Sequence, residues 1–420
     1  MRGRSAPGPE ARKCLLWHLL DIKLHLGRHW NGAMESPRRI SVLVVAACWI
    51  TNAIGASVTI ASIPPHANTA SNSPFPLQLQ LRVPFGPTAF PSAGHSYLAY
   101  ELYITNFTDG PITLRRIEVR DADNTAKDPV AAFEAEQIEA LLQPVGAAAG
   151  NDPRQLAAGA TTIAFMWIPF DAARSVPNRL LHRVLTSDSY SDGATIDTHS
   201  TQLHVLSPPL QGGDWLAADG PSNARDNHHR RGVLIFDGEA VDSRRYAIDW
   251  ILLKQGERLS GDPSDKRSYY AYGKAVLAVA SGTVVTARDG LPDNVPRHNN
   301  VFQTAVPITM DTVGGNTITL DLGGGQYAYY FHLQPGSLQV KVGDHVRRGE
   351  VIARVGCSGD ARAPHLHFEV TTSPEVLRGE GVPYVIDYFR SKSSGGSWQP
   401  RAHELPLDGM NIEFVPRRQR

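Results

Sequence analysis

Cysteine is scarce. Three occur in 420 residues, Cys14, Cys48 and Cys357, too few for a disulfide scaffold. Neither charge is in excess: 41 Lys+Arg balance 41 Asp+Glu, so the formal net charge is zero. The basic surplus typical of a protein that lives on nucleic acid or on an anionic membrane surface is missing. Composition is otherwise ordinary, with 42% hydrophobic and 20% charged residues, which excludes a largely disordered chain. The length suggests about three units, or two with appendages. Gly and Pro are plentiful, at 37 and 30, and favour many turns between short strands.

One apolar stretch stands out. Ile40 to Ala61 follows Arg38 and Arg39 and ends in small residues, the layout of a secretory signal peptide. An uncleaved anchor helix is the alternative, since the stretch could nearly span a bilayer. Either reading makes the protein exported, periplasmic or attached to the cell envelope. Val45-Ala46-Ala47-Cys48 is a weaker lipoprotein box because apolar residues follow it. Met34 opens a better signal-peptide start than Met1, so residues 1–33 read as an upstream extension and 34–61 as signal peptide or anchor. Once the signal is removed, Cys357 is the sole thiol and is expected to be a small packing residue.

Residues 74–206 alternate apolar and polar positions, as in Leu77 to Val83, Ser96 to Thr105, Ile112 to Val119 and Thr161 to Ile168. Period-two alternation between turn residues predicts half-buried strands. Their number and spacing suggest an immunoglobulin-like β-sandwich, with one helix-like insert over Ala131 to Leu142. No cluster of catalytic residue types occurs here, so a structural or docking role is expected. Residues 207–220, rich in Pro and Gly, read as a linker.

The chemistry lies in residues 221–390. Pro364-His365-Leu366-His367-Phe368-Glu369-Val370 has two histidines two apart, which a strand points to one face. Paired neutral imidazoles suit zinc. Arg245 to Asp249 is a second strand that ends in an acid amid apolar neighbours, and a buried carboxylate needs a partner or a metal. Tyr329 to Leu333 puts His332 in an aromatic strand. Val340 to Gly356 carries glycines at turn positions and alternating valines. No lysine sits at a hairpin tip between small or acidic neighbours, which argues against a lipoyl or biotin carrier.

Taken as an ordered set, residues 245–370 resemble the lysostaphin-type (LytM-like) zinc endopeptidases, which cut peptide cross-links in bacterial peptidoglycan. The matching residues are Ala247-Ile248-Asp249, Ala278 to Val284, Gly315-Asn316, Tyr330-x-His332-Leu333, Val342-Gly343-x-x-Val346-x-x-Gly349 and Pro364 to Glu369. The resemblance implies an all-β chain, in which an antiparallel β-groove related to the lipoyl-type hybrid barrel follows the sandwich. It implies Asp249 and His367 as zinc ligands, with His332 and His365 as the catalytic histidines beside the metal. It also implies a cell-wall peptide as partner.

One position departs from the family pattern. The first ligand there is a histidine four residues before the aspartate, and here Arg245 occupies that place. A guanidinium has no lone pair to give a metal. The replacement is sought in His228-His229, ahead of an Asp237-Gly238 hairpin signal. A three-residue loop, Phe236 to Gly238, sets His229 across from position 245, whereas a two-residue loop brings His228 to that face. His229 is favoured as the third zinc ligand. Two functions follow: an exported zinc endopeptidase acting on peptidoglycan, or the same fold without metal as a cell-envelope binding or regulatory module. Asp289 to Val313 is a long connection suited to walling a site, and Tyr269, Tyr270 and Asn316 are candidates to line it. His298 and His345 read as surface residues. Pro374 to Phe389 reads as a closing segment and 391–420 as a tail.

Overall fold

Strands dominate the chain wherever it is described: residues 76–146, 152–171, 174–187, 189–297, 299, 301–392 and 396–415 of a computed structural model. The apolar run at 40–61, Met34 and His298 lie outside these residues. Among the described residues the one α-helix is Ala135–Leu141, and no helix is long and apolar enough to cross a membrane. The helix-like insert therefore divides in two, because Ala131–Glu134 pairs with Arg116–Asp121 before the helix begins.

Two antiparallel sheets make up the front of the chain. One runs Leu79–Arg82, His95–Asn106, Thr161–Asp171, Leu142–Pro144, with Phe90–Ser92 also on His95–Asn106. The other runs Tyr190–Asp197, Arg179–Leu185, Arg116–Asp121, Ala131–Glu134. They share a core in which Leu98, Tyr100 and Leu102 meet Ile117, Val119, Leu180 and Val184. The alternation of His95–Asn106 predicts one wet face, yet its positions from Leu98 to Ile104 are all buried. The second face is covered by the back half of the chain. Tyr103 and Phe165 pack with Ala240, and Tyr246 donates a hydrogen bond to the Ala99 carbonyl at 3.1 Å.

The back half is built on a ten-stranded sheet. Its order is His345–Val346, Gly282–Arg288, Asn316–Gly323, Gln326–Leu333, Leu366–Thr371, Ile248–Leu252, Gly212–Ala218, Asn411–Phe414, Phe389–Lys392, Gln399–Arg401. The stretch 207–220, expected as a linker, thus supplies an interior strand. Its prolines precede that strand, and Trp215 and Ala217 fill the core with Trp250 and Ile412. The expected tail supplies Gln399–Arg401 and Asn411–Phe414, because Ile412 and Phe414 are buried. Residues 74–420 accordingly form one unit. Tyr384–Ile386, inside the expected closing segment, runs parallel to His204–Leu206.

Register places the chemistry. Ala218 pairs with Asp249, Asp249 with His367, and His367 with Phe331. Directly paired residues share a face, so these four positions form a row across four strands. Strict alternation would then turn His332 to the opposite face. His332 instead has φ +62°, a left-handed conformation costly for a residue with a Cβ. Two backbone bonds hold it there: His332 N–H donates to the Gly314 carbonyl at 2.8 Å, and Gly356 N–H donates to the His332 carbonyl at 3.0 Å. A Cβ on Gly356 would sit 2.4 Å from the backbone nitrogen of Gln334, so only glycine permits this approach. Gly356→Ala is expected to destabilise the protein by about 1–3 kcal/mol, as overpacking against rigid atoms does. Urea denaturation measures it, and an unchanged midpoint would contradict the close approach.

Candidate metal centre

Five histidines and two carboxylates gather where the row of paired residues meets the turn before Gly232. Asp249 is the hub. Its Oδ1 lies 2.9 Å from His367 Nδ1, 3.4 Å from His365 Nε2 and 3.6 Å from His229 Nε2. His365 and His367 thus present their rings on one face, as their spacing predicts. His332 joins them, with its ring centre 4.8 Å from that of His365 and 6.0 Å from that of His367. Phe331 stacks on His367 at 5.2 Å and closes one side.

Second nitrogens fix the tautomers. A carbonyl only accepts, so His229 Nδ1–H donates to the Asp219 carbonyl at 2.8 Å. This leaves the Nε2 lone pair aimed at Asp249. His332 Nδ1–H donates to the Ser358 carbonyl at 2.9 Å and His365 Nδ1–H to that of Ala363 at 2.8 Å. His367 lies between two acceptors, Asp249 on Nδ1 and Glu369 Oε2 on Nε2 at 3.2 Å. Glu369 was not singled out in the sequence as a site residue. It stands two positions beyond His367 on the same strand face, and that period of two was the available signal.

His229 arrives by a route different from the one its sequence suggests. The Asp237-Gly238 turn has two residues, with Phe236 paired to Glu239. Both turn residues have positive φ, +52° and +86°, which suits the strand twist. The three-residue loop is therefore incorrect. The ladder also stops at Leu234↔Val241, short of either histidine, so hairpin register places neither. A capped turn does so instead. The Asn227 side chain accepts from Arg230 N–H at 2.9 Å and donates to the Gly220 carbonyl at 2.7 Å. Gly220 follows Asp219, whose carbonyl holds His229.

Arg245, at the variant position, points elsewhere. It binds Glu101 through Nη2 at 2.5 Å and Nε at 3.1 Å, Glu380 at 2.7 Å and the Gly381 carbonyl at 2.8 Å. Three acceptors hold the guanidinium away from Asp249, so it does not fill the space among the imidazoles.

Electrostatics separates the histidines. Burial pushes His229 well below the usual imidazole value, against the pull of Asp249. Burial, with His365 and His367 alongside, does the same to His332. Burial also opposes protonation of His365, but the Asp249 carboxylate outweighs it and the net shift is upward. His367 rises to about 9, because bonds to Asp249 and Glu369 overcome its burial. Burial would raise Asp249, yet His365 and His229 hold it well below the usual carboxylate range.

These residues fit a divalent metal. Bonds of about 2.0–2.1 Å around a tetrahedral zinc put its ligand atoms roughly 3.3 Å apart, and the Asp249 oxygen stands 2.9 Å from the His367 nitrogen and 3.6 Å from that of His229, with that of His365 at an intermediate 3.4 Å. Glu369 behind His367 supplies the carboxylate–histidine pairing common behind metal ligands. Ligand atoms of His228, His229 and Asp249 also lie within 4.8 Å of one another. His228 is half exposed, with Nδ1 3.5 Å from an Asp219 carboxylate oxygen, whereas His367 is buried and touches Asp249. The set His229, Asp249, His367 is therefore the better enclosed. Other expected residues stand apart. Tyr269 donates to the Pro263 carbonyl and Asn316 donates to the Leu291 and Leu333 carbonyls. His345 is exposed and Cys357 is buried, with its thiol pushed well up by burial.

Residues 268–378 match the model of peptidase family M23. The matched segment holds His332, His365 and His367, while His229 and Asp249 precede it. Lysostaphin of Staphylococcus simulans is 44% identical over 85 residues, 20% of this chain and 17% of the relative. Glycyl-glycine endopeptidase ALE-1 of Staphylococcus capitis is 43% identical over 61 residues, 14% of this chain and 16% of the relative. The chain thus spans about a sixth of the length of these relatives. Among solved structures, the catalytic domain of the antimicrobial peptidase lysostaphin from Staphylococcus simulans is 26% identical. It covers 33% of this chain and 71% of its own length, with a TM-score of 0.19.

Two outcomes follow. Metal uptake must displace the proton on His367 Nδ1. Apparent zinc affinity, measured by chelator competition, is expected to rise about tenfold per pH unit from pH 6 to 8; a flat profile would contradict ligation by His367. His367→Ala is expected to abolish stoichiometric zinc by elemental analysis, whereas His228→Ala retains it. The reverse pattern would make His228 the third ligand.

Proposed function

We propose that this M23-family segment and the chain around it form an exported zinc metallo-endopeptidase that hydrolyses peptide bonds of peptidoglycan cross-links or similar cell-envelope peptides. The observation that carries the reading is the convergence of His229 Nε2 and His367 Nδ1 on the Asp249 carboxylate, with the other ring nitrogens committed to Asp219 and Glu369. His229, Asp249 and His367 would hold the metal. Bound there, zinc would lower the pKa of its water toward neutrality and polarise the scissile carbonyl. The names of the staphylococcal relatives, one a glycyl-glycine endopeptidase, support a peptide cross-bridge as substrate.

His332 and His365 divide the proton work. His332 is neutral, with Nδ1–H committed to Ser358, so its Nε2 lone pair is free to take a proton. His365 is drawn toward its protonated form by Asp249 and can donate from Nε2. Environments that push two titratable groups apart are how one site assigns acid and base. The front half is read as an immunoglobulin-like sandwich and the back as a groove related to the lipoyl-type hybrid barrel. Export rests on the signal-like segment Ile40 to Ala61. The alternative of a metal-free binding module rested on Arg245, whose bonds to Glu101 and Glu380 leave the imidazole cluster open.

Peptidoglycan zymography tests the reading. Wild-type protein is expected to clear the substrate, to stop with chelator and to recover with zinc. His332→Ala and His365→Ala should each lose about 10²–10⁴-fold in rate, the usual worth of acid–base help, while keeping one zinc per chain. Full activity in either variant would remove it from the mechanism, and no clearing by zinc-loaded wild type would remove the proposed activity.

A further inference from the structure

The turn that presents His229 has little regular structure of its own, yet the two residues after it are pinned to the front sandwich. Arg230 is fully buried. Its guanidinium binds Glu101 and donates to the Tyr100 carbonyl at 3.0 Å and the Met166 carbonyl at 3.2 Å. Tyr100 and Met166 are directly paired across the two long strands His95–Asn106 and Thr161–Asp171, so one side chain grips both. Arg231 donates to the carbonyls of Leu141 and Ala140 at the end of the helix, at 3.0 and 3.2 Å. Both guanidinium groups lie over the Phe165 ring, at 4.7 and 4.2 Å.

Glu101 decides whether this grip holds. It occupies the sandwich-strand face that covers the back half, and its carboxylate bridges Arg230 and Arg245. Without that charge, two buried guanidinium groups share the remaining carboxylates Asp242 and Glu380. A buried cation short of its counter-ion is costly, and withdrawal of Arg230 would relieve that cost. Arg230 is bonded to His229, and metal ligands tolerate displacements of about 0.2 Å.

We propose that Glu101 is a positioning residue for the metal centre: through Arg230 it fixes the turn carrying His229, so the front sandwich is a working part of the metal site and not a separable module. The inference rests on the reading of His229 as a ligand. It is tested in the full chain with Glu101→Gln, and with Glu118→Gln as control. Glu118 is also a buried sandwich carboxylate, and its ion pairs are with two arginines outside residues 227–232, Arg116 and Arg120.

Zinc affinity by chelator competition is expected to fall about 10–100-fold in Glu101→Gln, the usual cost of losing a supporting contact behind a ligand, and to stay unchanged in Glu118→Gln. The visible absorption of the cobalt-loaded protein should change in the first variant alone. In metal-free protein, amide hydrogen exchange should rise over 227–232 in Glu101→Gln and stay constant over 366–371. A folded Glu101→Gln with wild-type affinity and wild-type exchange over 227–232 overturns the inference, as does equal loss in both variants. If wild-type protein binds no zinc, the proposed function falls, and the exchange comparison alone decides whether Glu101 fixes the turn.

Discussion

Antiparallel pairing of Asp249 with His367 is the constraint on which the site depends. The ladder leaves neither side chain another direction. It sets a buried imidazole between two carboxylates, Asp249 and Glu369, with Phe331 stacked on it. Burial of that kind is expensive unless charges are matched. Without metal, the carboxylates favour a proton on His367, raised to about 9, and draw His365 upward as well. A divalent cation would match them better, since it replaces a proton on His367 and leaves His365 free to exchange its own. The same row of residues would thus serve both the metal-free protein and the proposed metal-bound one.

Beside this cluster lies a second one of different character. Glu101, Asp242 and Glu380 surround Arg230 and Arg245. Burial and the nearby Glu101 raise Asp242 to about 8, which leaves Glu101 and Glu380 as the stronger counter-ions of the two guanidinium groups. Arg245 and Asp249 are four residues apart and serve the two clusters separately. A guanidinium turned toward the histidines would meet partly protonated imidazoles and would leave Glu101 unpaired. Charge arrangement therefore keeps the metal cluster open despite the arginine at the variant position.

Much of this was legible in the sequence where one local rule governed. His365, His367 and Glu369 share a face because a strand repeats every two residues, and Asp249 read as a buried acid because its neighbours are apolar. Other features depend on contacts that a sequence does not display. His332 leaves the alternation of its strand through a left-handed φ, held by Gly314 and Gly356 from elsewhere in the chain. The strand His95–Asn106 looked half wet because its second face is covered by residues over a hundred positions away. Residues 212–218 looked like a linker because Gly and Pro surround a strand whose partners, 248–252 and 411–414, are distant. His229 was favoured through a hairpin register that stops before reaching it; a capped turn, and not that register, brings it beside Asp249.

The proposed ligands are therefore held by two different means. Asp249 and His367 come from adjacent strands, where backbone hydrogen bonds fix separation and direction together. His229 comes from a turn, where backbone order is local and position is imposed by other contacts: Asn227 capping the turn, the Asp219 carbonyl holding the ring, Arg230 reaching into another sheet and Arg231 reaching the end of the helix. A ligand held by side chains depends on whatever those side chains grip, and here that is the strand pair carrying Glu101. On the proposed reading, a turn-borne ligand at 229 in place of a strand-borne one at 245 would move part of the burden of building the metal site from the ten-stranded sheet to the two sheets in front of it.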